Sequence, residues 1–165
     1  MRTIPSPFTF RGGIHPSYSK ELSSGAPIRE LPLPARLVVP LSQHLGAPAK
    51  AKVAVGDTVK AGQLIAEANG FISAPVHAPA CGKVVALEET LTASGRPCGA
   101  IVIETDGSQE RELMPTLADW AAADKKELLA QIGAAGIVGM GGAGFPTRIK
   151  LSPPSDKPID TVILN

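Results

Sequence analysis

The sequence predicts an α+β chain in three parts. These are an extended arm over residues 1–35, an all-β unit over 36–106, and a segment over 107–165 that begins an α/β domain. Three observations carry this. Prolines at 16, 27, 32 and 34 punctuate the first part, which has little periodicity. The second part consists of short β-rich runs separated by Gly-containing turns. In the third, apolar residues switch to helical spacing, and a Gly-rich loop and a β-like run follow.

In the arm, each proline fixes its own φ and restricts the residue before it, so the chain is expected to run over a surface without joining a sheet. Phe8, Phe10, Ile14 and Leu22 are its candidate apolar anchors. From residue 36 the runs RLVVPL, KVAV, TVKA, LIAE, GKVVAL and AIVIET alternate with Gly-Asp, Ala-Gly, Asn-Gly and Cys-Gly turns. Turns at such short intervals predict a compact antiparallel sandwich or barrel. After Pro115, the stretch Thr116–Trp120 reads as the opening of a helix, with Thr116 and Asp119 near its first turn. Leu128, Leu129 and Ile132 share one helical face, and Gly136 is placed to end the helix in the left-handed region. The final run, Ile159–Asn165, reads as a strand that stops where its turn should begin, as if the chain were the first piece of something longer.

Composition narrows the function classes. The chain is 44% hydrophobic and 19% charged, with a formal net charge of +1. That balance argues against a general nucleic-acid binder, which needs a basic patch or stripe. No apolar run reaches the roughly 18 residues expected of a membrane-spanning helix, and MRTIPSPFTFRGG lacks a signal-peptide core, so a cytoplasmic chain is expected. Cys81 and Cys98 are too few for an iron–sulfur cluster, which usually takes four, and read as isolated structural thiols. His15, His44 and His77 lack paired-ligand spacing, so no metal site is assigned and hydrogen-bonding roles are expected.

The stretch Gly139-Met140-Gly141-Gly142-Ala143-Gly144 matches G-x-G-x-x-G literally, but a helix precedes it where the dinucleotide fingerprint requires a strand. No Gly-Lys-Ser/Thr follows, which excludes a Walker A loop. Glycines in succession still let backbone N–H groups converge into an anion nest. Pro146 at the first position of a following helix would point that helix's positive end into the same space. Lys150 can place its ammonium on the loop side, and Phe145 adds an aromatic plate. A phosphate attached to a flat ring system suits these parts; the alternative is a connector that merely permits close packing.

Two resemblances sharpen the reading. Val55-Gly56-Asp57-Thr58-Val59-Lys60-Ala61-Gly62-Gln63-Leu64, with the later Ser73-Ala74-Pro75 and Gly82-Lys83-Val84, resembles the biotinyl/lipoyl-like, or barrel-sandwich hybrid, family. A carrier of that family holds its prosthetic group on a lysine at a hairpin tip. The tip here, Glu67–Ser73, has none, and Lys60 and Lys83 lie outside it, so the resemblance implies a scaffold. Gly139-x-Gly-Gly-Ala-Gly-Phe-Pro-Thr-x-x-Lys150 resembles the flavin loop of the NADH-oxidising subunit of respiratory complex I, with Met140 in place of an arginine and Leu151 in place of a tryptophan.

With FTFRGGIHPSYSKELS in the arm and SAPVHAPACGKVVALE in the β unit, the chain resembles the RnfC family, the C-type subunits of Rnf ion-translocating electron-transport complexes. The resemblance implies a peripheral electron-input subunit on the cytoplasmic face of the inner membrane, not inserted in it, with the other complex subunits as partners. It implies FMN and NADH as cofactors, and [4Fe–4S] clusters in a region beyond residue 165. Residues 107–165 would be the first part of the FMN/NADH-binding α/β domain. Gly139, Gly141, Gly142 and Gly144 would cradle the FMN phosphate, and Lys150 would neutralise it or touch the isoalloxazine edge. Phe145 would line the cleft, and Asn165 would hydrogen-bond the flavin. The alternatives are the A-type subunit of a sodium-pumping NADH:quinone oxidoreductase and a non-catalytic docking module. Holding half of such a cleft, the chain is expected to bind FMN weakly or not at all. Titration followed by flavin fluorescence tests this, and tight stoichiometric binding would refute it.

Overall fold

The computed structural model describes residues 17–140, 142–157 and 159–161, in two units, Met1–Pro32 and Leu33–Asn165. In the first unit, the Lys20 carbonyl accepts from the amides of Ser23 and Ser24 at 3.0 and 2.8 Å, closing a turn. The remainder of residues 17–32 has no regular structure, as its prolines require. Leu22, expected as an anchor, is exposed, as are Tyr18, Ile28 and Leu31. Phe8, Phe10 and Ile14 lie outside the described residues.

In the second unit, seven strands form two antiparallel sheets. They are β1 (Arg36–Pro40), β2 (Lys50–Ala51), β3 (Thr58–Val59), β4 (Leu64–Glu67), β5 (Val76–His77), β6 (Gly82–Leu91) and β7 (Pro97–Thr105). One sheet has the order β1-β7-β6-β3 and the other β2-β4-β5. β7 is central in the larger sheet, pairing Val39 of β1 with Ile101 and Val84 of β6 with Ile103. The two sheets share one core. Val39, Val59, Val84, Ile101 and Ile103 come from the larger sheet and Ile65, Ala66 and Val76 from the smaller. β-branched side chains dominate because a pleated, half-buried surface suits them.

Five of the six expected runs contain a strand; KVAV does not. The amide of Ala54 binds the Asp57 carboxylate at 2.8 Å, and that of Gly56 binds the Val84 carbonyl at 2.8 Å. The local turn therefore takes the donors that a strand would have used. Conversely, β5 falls in a stretch read as turn, since proline flanks it closely on both sides.

Helix α1 spans Lys125–Ala134 and α2 is a single turn, Thr147–Lys150. The helix expected from Thr116 does not start there; residues 118–122 form only turns. Asp119 caps one turn by accepting from Ala122 at 3.1 Å, and Asp124 accepts from Glu127 at 2.7 Å. Asp124 is extended (φ −71°, ψ 160°), as an N-cap residue must be, and that conformation interrupts any helix arriving from upstream. Leu128, Leu129 and Ile132 are half-buried on one face, as their spacing predicts. Cys81 and Cys98 are both buried and unpaired. The Cys81 thiol donates to the Glu110 carbonyl at 2.9 Å and accepts the Ala61 amide at 3.3 Å. Of the terminal run, Ile159–Thr161 has no regular structure and Val162–Asn165 lies outside the described residues.

Stability should rest on β7. Ile101→Ala is expected to cost about 2–5 kcal/mol, because Ile101 is fully enclosed and the cavity cannot collapse against a paired central strand. Val38→Ala, on a half-open position of β1, should cost less than about 1 kcal/mol. Urea midpoints at unchanged slope check both.

Candidate functional site

The Gly-rich loop starts from the end of α1. There, the Gly136 amide donates to the Gly133 carbonyl at 3.1 Å and the Ile137 amide to the Ile132 carbonyl at 3.4 Å, the paired bonds of a Schellman motif. Gly136 has φ +69°, and a Cβ on it would sit 2.6 Å from the Pro75 carbonyl oxygen. Glycine is required twice over at this position, once for the left-handed turn and once for the close approach to the β4–β5 connection. The chain then doubles back. Val138 bridges Pro146, the Gly139 amide donates to the Phe145 carbonyl at 2.9 Å, and the Thr147 amide to the Ile137 carbonyl at 3.0 Å. These rungs pinch the loop at its base and leave Met140 and Gly142–Gly144 at its mouth.

The loop rests on the segment between β1 and β2. The Leu45 amide donates to the Gly144 carbonyl at 3.2 Å, and a Cβ on Gly144 would meet the Gln43 carbonyl oxygen at 3.1 Å. A buried hub holds that segment. His44 Nε2 accepts the Ala74 amide at 3.0 Å, so the ring proton sits on Nδ1. The Ser73 hydroxyl donates to the Ala47 carbonyl at 2.9 Å and accepts the Asn69 amide at 2.9 Å. The hydrogen-bonding role expected of His44 is thus what it has.

In front of the loop mouth lies an open groove of about 810 Å³, walled by the loop, residues 42–48 and the β6–β7 turn. Ligand clefts commonly fall between roughly 300 and 1,000 Å³. Gly139, Gly142 and Gly144 line it. Among the described residues, nothing accepts a hydrogen bond from the amides of Met140, Gly142, Ala143 or Gly144. Amides without a protein acceptor, on residues that line an open groove, are what a phosphate-binding loop needs.

Other expectations change. The Gly139 amide is engaged within the loop, so this residue contributes closeness and not a donor. Pro146 is the cap of α2 (ψ 122°) and not its first helical residue, and one turn of helix carries little dipole. Lys150 is exposed, and its Nζ would be 3.0 Å from a Cβ on Gly139, which puts the ammonium beside the loop base. Phe145 is half-buried, and neither it nor Lys150 belongs to the groove wall. Gly141 and Asn165 lie outside the described residues. The structure adds Gln43, Ser94 and Arg96, none of which the sequence pattern singles out. The turn signal at Ser94-Gly95 is visible in the sequence, but nothing local shows that the turn faces a loop more than 40 residues away.

Comparison with known proteins is consistent with this geometry. The family model described as the RnfC barrel sandwich hybrid domain matches residues 8–108, and that of the Nuo51 FMN-binding domain matches residues 132–165. The chain is 47% identical, over 95% of its length, to the C subunit of the proton-translocating ferredoxin:NAD(+) oxidoreductase complex of Clostridium ljungdahlii, covering 35% of that protein. It is 46% identical, over 95% of its length, to the Na(+)-translocating counterpart of Acetobacterium woodii, covering 36%. It is 44% identical, over 96% of its length, to the C subunit of the ion-translocating oxidoreductase complex of Rhodobacter capsulatus, covering 31%. The chain thus spans about a third of the length of these relatives.

Beside the loop base, His77 and Gly136 share a smaller cavity of about 220 Å³. Burial lowers the His77 pKa from its ordinary 6.5 by disfavouring the charged ring. The unfolded chain then takes up this proton at a higher pH than the folded one. Stability from this group is complete above about pH 6.5 and is lost as pH falls through the folded value. His77→Gln should remove that limb. Urea midpoints compared at about pH 7.5 and 5.5 should converge for the variant relative to the wild type, and an identical pH dependence would refute the assignment.

Proposed function

The chain belongs to the RnfC barrel sandwich hybrid family, and from that premise we propose that it forms part of the electron-input subunit of an ion-translocating ferredoxin:NAD oxidoreductase complex. The observation that carries the proposal is a coincidence of place. The FMN-binding match covers residues 132–165, and within it lies the loop that lines the groove and whose amides at 140 and 142–144 donate to nothing among the described residues.

In this reading Gly142, Ala143 and Gly144 turn their N–H groups on the FMN phosphate, and the Lys150 ammonium adds charge at the loop base. Gly141 and Asn165 complete the seat. Bound FMN supplies the two-electron-to-one-electron conversion between NADH and single-electron carriers. The protein's own contribution is to orient the phosphate and hold positive potential around it. We place the implied [4Fe–4S] clusters outside residues 1–165, since Cys81 and Cys98 are buried, engaged or isolated, and only two, where a cluster takes four ligands. No helix among the described residues is long and apolar enough to cross a membrane. On the strength of the family membership, we place the chain peripherally on the cytoplasmic face, held by the other subunits of the complex.

Gly142 allows a test that separates binding from folding, because a Cβ there meets nothing within 4 Å. Gly142→Val should change stability by less than about 0.5 kcal/mol while filling the mouth of the loop. In amide NMR titrations of the whole chain, FMN should shift residues 139–144 in the wild type and fail to do so in the variant. FMN shifts centred elsewhere, or undiminished in the variant, would refute the reading.

A further inference from the structure

The β unit supplies more than support for the loop. The turn joining β6 to β7 reaches the same groove, and its backbone is firmly held. The Thr92 amide and hydroxyl donate to the Arg96 carbonyl at 2.8 and 3.0 Å, and the Arg96 amide returns a bond to the Thr92 hydroxyl at 3.2 Å. Arg96 therefore leaves a fixed platform, and its side chain lines the groove.

Its place on the groove wall separates this arginine from other surface cations. Like the side-chain cations of Lys83 and Arg111, its guanidinium has no carboxylate or hydrogen-bond partner among the described residues, but it lines the groove. In addition, no carboxylate occurs among the described residues of the groove wall, although the chain carries 15 acidic residues. Among the described residues of the wall, Arg96 is the one arginine or lysine, beside amides, hydroxyls, the His44 ring, the Cys98 thiol and apolar groups. Met140, Gly142, Ala143 and Gly144, whose amides donate to nothing among the described residues, line the same groove. A groove with one unneutralised guanidinium, an array of N–H donors and no competing anion is built for an oxyanion, and the planar fork of arginine matches phosphate in particular.

We propose that Arg96, from the β6–β7 turn, binds the phosphate of the ligand seated by the Gly-rich loop, so that the ligand is clasped between the β unit and the loop. This rests on the proposed flavin site and deepens it by naming a phosphate-recognising residue outside the segment matched to FMN binding. Arg96 is a binding residue here, with no part in the electron transfer itself. The arrangement also offers a cation where the loop carries Met140, which is almost fully exposed and brings no charge.

The test titrates the whole chain with FMN, riboflavin and inorganic pyrophosphate, reading backbone amides and the Arg96 Nε–H by NMR. FMN should shift the Arg96 Nε–H together with Gly142–Gly144. Arg96→Gln should weaken FMN about tenfold, the lower end expected for a charge-assisted contact at an open site, and leave riboflavin unchanged. Arg96→Lys should fall between, at about threefold, because charge survives and the fork does not. Strand amide shifts confirm that each variant is folded. If Arg96→Gln binds FMN like the wild type, the proposal is overturned while the flavin site stands. If pyrophosphate binds in an Arg96-dependent way and neither flavin does, Arg96 stands and the flavin reading falls. If none of the three shifts the groove even at millimolar ligand, where the weak binding expected of half a cleft still registers, both are overturned.

Discussion

The groove side of the molecule depends on one buried imidazole. His44 and Ser73 are almost wholly enclosed, and between them they satisfy the Ala74 and Asn69 amides and the Ala47 carbonyl. Each of these backbone groups lies in a segment with no strand partner of its own. Removing the imidazole would leave the buried Ala74 amide unpaired, at about 1–3 kcal/mol. The hub ties the segment between β1 and β2 to the end of the β4–β5 connection. It also sets the surface on which Gly144 lands, since Gln43 and Leu45 flank the imidazole in sequence.

That surface explains why glycine is required in the loop. Part of the requirement is conformational and part is simple closeness, because backbone meets backbone at Gly144 and Gly136 with no space for a side chain. The compensation lies in the rungs at the loop base, which pin both ends and leave only the mouth unpaired. Unpartnered amides at a solvent-facing mouth cost little, since water can serve them, and they are available to a ligand without rearrangement. With α2 only a single turn long, positive potential in the groove comes from amides and full charges and hardly at all from a helix dipole.

The β unit has turned a hairpin tip to a new use. In the carrier proteins it resembles, the tip would present a lysine to solvent. Here the Phe71 carbonyl accepts from Arg148 of α2 at 3.2 Å, and the Pro75 carbonyl lies against Gly136. The tip and the residues after it therefore seat the two helices that bracket the loop. The same sandwich that buries Ile65, Ile101 and Ile103 also sets where the loop mouth opens.

How much of this was legible follows from the range of each interaction. The strand runs, the left-handed glycine that stops α1 and the lack of a carrier lysine are local matters of φ, side-chain alternation and turn chemistry, and the residues alone sufficed for them. The Gly-rich string suggested an amide nest in the same way, because such a nest belongs to consecutive residues. The helix start was misplaced by several residues because two aspartates compete as caps, and local pattern does not say which one wins. The place of Arg96 on the groove and the partners of His44 could not have been read from the string of residues. Both depend on neighbours about 30 to 50 positions distant, which meet only after two sheets have closed on one core and brought a turn, a loop and a buried ring to the rim of a single groove.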